Sequence, residues 1–391
     1  MISFSSAREL VASHVPVAEE INMMTKDTLG FYIAQEIYAP IDFPHFDNSA
    51  VDGFAVRAEE VFIKSSLALE HIIRAVGQEH TKISVKSCAK IMTGAPIPEG
   101  ANAVIMKEDS CFHDSRVSFS RVPTVGDNIR QKGEDIKKDS LLAHVGQRVT
   151  PQLIGLLEGL GVANIIVFKK PRVFIICTGD ELVEAPQELK YGEVYFLIGA
   201  MLKAQAANLG LEDIIIKRVG DSEEELLKAL QQASLADLVL ISGGMSKGDH
   251  DLVRPVLKKL QVREIFYEGL WRPGKPLYFG RQGQTIYFGL PGNPVACFVM
   301  FRIFVQFWLE NFFKTNNFLD LKTAVIKNNF TKSSNYAFFA RAFVDNNNIL
   351  EILTGQGSHQ IFSLSQANAL CYLPEGISNF CVGQSVRYWA I

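Results

Sequence analysis

Three apolar runs, at 171–178, 235–242 and 284–290, each stop on a glycine-containing loop, and this repeated pattern constrains the fold more than any other feature. Between them, 199–209, 222–235 and 251–260 carry helical periodicity, so the spacing predicts alternating strands and helices. Ser222 or Asp221 is the expected cap of the second helix, with Glu223, Glu224 and Glu225 in the turn where the helix dipole favours acids. The stretch RPGKPLYFG at 272–280 reads as a loop. A three-layer α/β domain of about 145 residues follows.

In a parallel sheet, the loops after strand C-termini meet at one edge, where exposed amides favour phosphate. TGDE at 178–181, SGGMSKGD at 242–249 and GLPGNP at 289–294 should therefore share a pocket. Gly243 and Gly244 can offer N–H groups with no side chain in the way, and Ser242, Ser246 and Lys247 add donors. None of the three loops is GxGxxG or GxxxxGK[ST], which disfavours ordinary dinucleotide enzymes and ATPases. Asp180, Glu181, Asp221, Asp249 and Asp251 lie in or beside these loops, as carboxylates that hold Mg2+ beside a phosphate would; helix capping and solvated turns are the competing readings. Arg272 and Lys275 add cations in a loop stiffened by Gly and Pro.

The rest of the chain is patterned differently. Residues 1–26 carry apolar residues at helical intervals, 70–140 is turn-rich and strand-like, and 149–166 reads as a helix beginning near Pro151 followed by a strand. The tail from 320 reverts to short strands. The apolar stretch 295–310, interrupted by Arg302 and Gln306, reads as a buried helix rather than a membrane span. A length of 391 residues suggests two to three domains, and a net charge of −3 argues against nucleic-acid binding. Six scattered cysteines and an N-terminus unlike a secretion signal predict reduced, buried thiols in a cytoplasmic protein.

The β-rich region holds a second dense set of polar residues, in DNSAVDGFAVR at 47–57, MTGAPIPEGANAVIMKED at 92–109 and NIRQKGEDI at 128–136. Asp52, Thr93, Glu108, Arg130, Glu134 and Asp135 are the candidates there, each of which alone could be turn chemistry. No HExxH, CxxC or GxSxG motif supports a zinc or serine hydrolase.

Taken in order, DNSAVDGFAVR, MTGAPIPEGANAVIMKED, GED at 133–135, TGDEL, SGGMSKGDHDLV, RPGKP and GLPGNPVA resemble the MoeA family of molybdopterin molybdenumtransferases, related to the gephyrin E domain. The resemblance spans nearly the whole chain and implies four domains. These are a molybdopterin-binding α/β domain (1–19 with 171–319), an elongated connecting domain (20–38 with 140–170), an inserted, mostly-β domain (39–139) and a C-terminal β-barrel-like domain (320–391). It implies insertion of molybdate into adenylylated molybdopterin with release of AMP, promoted by Mg2+, in a homodimer whose cleft is shared between subunits. The runner-up reading is a molybdopterin-binding carrier or scaffold with weak turnover. Implied partners are the small-molecule substrates, a molybdopterin adenylyltransferase and apo-molybdoenzymes, with no nucleic acid and no membrane.

Carried over residue by residue, the resemblance makes Asp52, Thr93, Asp135 and Glu181 catalytic. It makes Gly243, Gly244, Ser246, Arg272, Lys275, Pro291 and Asn293 the cofactor-binding set, and Glu181, Asp221 and Asp251 the metal side. Three departures stand out. Tyr195-Phe196-Leu197-Ile198-Gly199 replaces an Asp-Ser-Asn-like triplet, Arg272 stands where Lys is common, and TKSSNYAFFAR at 331–341 lacks the usual Gly-Arg pair.

Overall fold

A computed structural model of the chain describes residues 1–74, 81–245, 252–315, 321–332 and 335–391. Its central sheet has six strands in the order Ile214–Val219, Val173–Thr178, Leu238–Ser242, Thr285–Leu290, Tyr278–Gln282, Arg263–Tyr267. The first four run parallel and the last two are antiparallel additions. The expected 272–280 loop is therefore shorter than its Gly and Pro content suggested. Tyr278 and Phe279 are buried strand residues, joined to Thr285–Leu290 through a tight turn at Gly283.

Strand alternation explains the three layers. Val173, Ile175, Cys177, Leu238 and Leu240 face one core, with helices Leu197–Asn208 and Pro294–Met300 and its continuation to Phe312. Phe174, Ile176, Val239 and Ile241 face the other, covered by helices Glu223–Ala233 and Val253–Lys259. Strands buried on both faces must be apolar throughout, which is the pattern that the sequence shows. Ser222 caps its helix by accepting from the Glu225 amide.

The helix from Pro294 to Phe312 is long and apolar enough to cross a bilayer, but it is largely buried in the protein core. A π-type turn at Phe301–Val305 interrupts it. Arg302 in that turn donates to the Gln306 side chain and to the Ala390 carbonyl, so both polar interruptions of the run are occupied internally.

Helix at the N-terminus is confined to Phe4–Ser13, and Glu20–Met24 is a strand paired with Asn164–Phe168. The helical reading of 1–26 is thus corrected beyond residue 13: alternating burial along Glu20–Met24 follows the strand period of two. Phe4 meets Phe304, Phe339 and Trp389 at ring-centroid distances of 5.7, 5.0 and 6.4 Å, and so joins the α/β core to the C-terminal sheet. In that sheet Ala337–Val344, Ile349–Ile352, Leu321–Ile326, Ser385–Ala390 and Ala369–Leu373 pair in sequence, and the last returns to the first, closing a barrel-like ring. Trp271–Arg272 adds to it in parallel. Six strands between Gly53 and Phe119 form a separate sheet with cores of their own.

All six cysteines are free. Four are buried as expected, but Cys111 and Cys381 are exposed, because each lies on an outward-facing stretch of a β module.

Candidate functional site

The parallel strands end at Thr178, Ser242 and Leu290, and their loops enclose a cavity of about 260 Å3. Thr178, Glu181, Ser242, Gly243, Gly292 and Pro294 form its polar side, and Val194 to Ile198 its apolar side. The loops are locked together. Ser242 Oγ donates to the Pro291 carbonyl at 3.1 Å, and the Gly179 amide donates to Val219 at 3.1 Å. Gly243 adopts φ +95°, and a Cβ there would stand 2.5 Å from both the carbonyl oxygen and Oγ1 of Thr178, so only glycine permits this approach.

Several polar groups here have no described partner. The amides of Gly243, Gly244 and Gly292 donate to no described residue. Thr178 Oγ1 is buried and unpaired, and Asn293 precedes the Pro294 helix without a side-chain capping bond. Thr178 Oγ1 is the buried member of this set, whereas Gly243 and Gly244 are half-buried and Gly292 and Asn293 exposed, so the edge offers free polar groups that a ligand or water can take up.

Carboxylates border the same edge. The Asp221 amide donates to Asp180 Oδ1 at 3.1 Å, which binds the 178–181 and 220–222 loops together and occupies Asp180 structurally. The carboxylates of Glu181 and Asp221 make no hydrogen bond or ion pair with a described residue. Among the described residues no three His, Cys, Asp or Glu side chains converge to hold a metal. Glu181 and Asp221, both exposed, leave carboxylate oxygens free, the ligand type that Mg2+ takes together with several waters. Ser246, Lys247, Asp249 and Asp251 lie outside the described residues.

Arg272 and Lys275 belong to the loop that packs on the 291–294 turn, since a Cβ at Gly274 would approach Pro291 Cγ to 3.2 Å. Neither side chain lines the cavity. The Arg272 guanidinium lies 4.5 Å from the Tyr336 ring centre, and Lys275 Nζ is 3.8 Å from Glu268.

Asp52 and Thr93 come together in the inserted sheet. The amide and hydroxyl of Thr93 both donate to Asp52 Oδ1 at 2.8 Å, which holds that carboxyl below its ordinary range. Asp135 is exposed on a loop tied to Phe43 by its amide. Within one chain none of the three lines the cavity. Among the described residues no hydrogen bond, ion pair or ring contact joins 39–139 to 171–315.

One candidate escaped the sequence reading. Arg341 is fully buried, gives Nη2 to the carbonyls of Gly355 and Gly357, and leaves Nε and Nη1 without partners. Burial pushes its pKa down to about 10. The loop that it holds meets the residue after the cavity-lining Pro294, where the Val295 amide donates to the Ser358 carbonyl at 3.3 Å. The only sequence signal was a lone arginine in an otherwise apolar strand.

An α/β domain whose strand ends gather unpaired amides and carboxylates around a small cavity belongs to the class that binds phosphorylated small molecules. Comparison with known proteins makes this specific. The family model described as "Probable molybdopterin binding domain" matches 174–311, flanked by matches to the MoeA N-terminal region (domain I and II) at 2–161 and the MoeA C-terminal region (domain IV) at 323–391. The molybdopterin molybdenumtransferase of Haemophilus influenzae is 32% identical across 99% of this chain and 98% of its own, and that of Bacillus subtilis 34% across 93% and 87%. The crystal structure of the molybdopterin biosynthesis MoeA protein from Pyrococcus horikosii superposes with a TM-score of 0.85 at 30% identity, covering 100% of this chain and 99% of that one. The chain belongs to the MoeA family of molybdopterin molybdenumtransferases.

Proposed function

We propose that this protein inserts molybdate into adenylylated molybdopterin and releases AMP, yielding molybdenum cofactor. The observation that carries the reading is the cavity lined by Gly243 and Gly292, whose amides have no described partner, and by Glu181, whose carboxylate is uncommitted, with Gly244 next in the chain and Asp221 on the adjoining loop. The amides, with Ser246 and Asn293, receive the phosphates, and Pro291, held by Ser242, sets the turn that carries Asn293. Arg272 and Lys275 raise the local positive potential from the loop behind. Glu181, Asp221 and Asp251 would hold Mg2+, which when bound offsets phosphate charge. Glu181 lines the cavity itself, and a carboxylate of these loops would orient the water that cleaves the adenylyl bond. These groups position and neutralise; the dithiolene of the substrate supplies the sulfur ligands for molybdenum.

The separation of Asp52, Thr93 and Asp135 from the cavity within one chain supports a homodimer, in which those residues of one subunit complete the pocket of the other. The four-domain division at 19/20, 38/39, 139/140, 170/171 and 319/320 accords with the separate sheets. Free cysteines accord with a cytoplasmic setting, with substrate arriving from an adenylyltransferase and product leaving to apo-molybdoenzymes.

The test is AMP release and reconstitution of an apo-molybdoenzyme from adenylylated molybdopterin, molybdate and Mg2+. Glu181→Gln should lower turnover about 100-fold, a loss typical of removing one transition-state contact. Binding of substrate without either product would replace this reading with that of a carrier.

A further inference from the structure

The apolar side of the cavity consists of Val194, Tyr195, Phe196, Leu197 and Ile198, whose only side-chain polar atom is the Tyr195 hydroxyl. Phe196 and Ile198 are partly buried against the main core, whereas Tyr195 remains 41% exposed. Gly199 makes this arrangement possible. A Cβ at that position would lie 2.2 Å from Cζ of Phe196, so the ring rests on the first turn of helix Leu197–Asn208 only because residue 199 has no side chain. Phe196 also occupies the capping position of that helix and makes no side-chain capping bond, so an aromatic ring stands where a small polar residue is usually preferred.

An aromatic surface left partly open beside a floor of unpaired amides suits a ligand with one flat apolar face and one anionic end. The volume of about 260 Å3 falls just below the roughly 300–1,000 Å3 of ligand pockets and is of the size of one ring system with its phosphate.

We infer that Tyr195 and Phe196 are specificity-determining residues that receive a planar heteroaromatic ring, while the phosphate ester attached to that ring sits on the amides of Gly243 and Gly292. Phe196 is the fixed part of the wall, seated by Gly199, and Tyr195 is the exposed face that the ring covers. The inference rests on the proposed transferase function for the kind of ligand. Adenine and pterin rings share this chemistry, and binding distinguishes them.

The experiment is calorimetric titration of the full chain with 5′-AMP, neopterin monophosphate and ribose 5-phosphate, the last having the phosphate without a heteroaromatic ring. Tyr195→Ala should weaken a ring-bearing probe about tenfold, or about 1.4 kcal/mol, at the lower end of base–aromatic stacking. It should leave ribose 5-phosphate unchanged, and Tyr195→Phe should retain the affinity of the unaltered protein. A loss confined to AMP assigns the wall to adenine, and one confined to neopterin monophosphate assigns it to the pterin. Gly199→Ala, which displaces Phe196, should give the same selective loss. An equal loss for ribose 5-phosphate, or an unaltered protein that binds the ring-bearing probes no tighter than ribose 5-phosphate, overturns the inference. Ring-selective binding with no AMP release in the turnover assay refutes the transferase reading alone.

Discussion

Replacing Gly243 with alanine tests whether the cavity floor depends on the contact of two backbones. The cost has two parts. A side chain at φ +95° costs about 1–2 kcal/mol, as left-handed residues generally do. The new Cβ would also stand 2.5 Å from the Thr178 carbonyl, a backbone atom at the end of a central strand that cannot swing aside. Overpacking of this kind adds about 1–3 kcal/mol. Gly283 is a control in the same domain, because it has φ +58° and no atom within 4 Å of where a Cβ would stand, so alanine there incurs the conformational cost alone. Any gain from stiffening the unfolded chain is common to both and cancels in the comparison. Calorimetric melting should show the α/β transition lowered roughly 6–15 °C by Gly243→Ala but only about 3–6 °C by Gly283→Ala, at roughly 3 °C per kcal/mol. AMP affinity should fall only in the first variant. Equal shifts in the two variants would refute the backbone contact, and with it the view that residue 243 is glycine for steric reasons.

Two further outcomes can be stated. Phe4→Ala removes ring contacts to Phe304, Phe339, Tyr372 and Trp389 and should cost about 3–5 kcal/mol in urea unfolding, with a loss under 1 kcal/mol showing that the N-terminal helix is not docked as described. Glu70 accepts from the Ser84 amide and from the hydroxyls of Ser87 and Ser84, which lower its pKa from 4.5 to about 2. Its contribution is therefore complete above about pH 4.5 and is lost as pH falls towards 2; Glu70→Gln should flatten the urea midpoint between those limits, and an unchanged acid limb would contradict the assignment.

How much of this was legible in the sequence depended on whether the signal was local. Strands such as Val173–Thr178 and Leu238–Ser242 are apolar on both faces and end in glycine, so their type, and the meeting of their loops at one edge, could be read directly. Tyr278–Gln282 could not, because RPGKP precedes it and the pairing that makes it a strand comes from across a hairpin. Likewise Glu20–Met24 has apolar residues that fit a helical spacing, and only Asn164–Phe168, far along the chain, selects the extended form. Within the site, Gly243 and Glu181 were visible through their motifs, whereas Arg341 depends on carbonyls of the 355–357 loop that no local pattern announces. The seating of Phe196 on Gly199 was also hidden, since a glycine three residues beyond an aromatic carries no signal until the helix between them is built.

The docking of Phe4 against Trp389 has a consequence for biosynthesis. Phe304, Phe339 and Trp389 follow Phe4 by 300, 335 and 385 residues, so during synthesis its helix waits for each of these partners. At about 5–20 residues per second, an amphipathic segment of ten residues waits on the order of 15–60 s before even Phe304 is made. The inserted sheet can form before that, but the core shared by the α/β and C-terminal modules closes only once Trp389 has been made. Removing Ser385–Ala390 would therefore uncover the Phe4 ring on its Trp389 side as well as strip two strands of the C-terminal sheet of their partner.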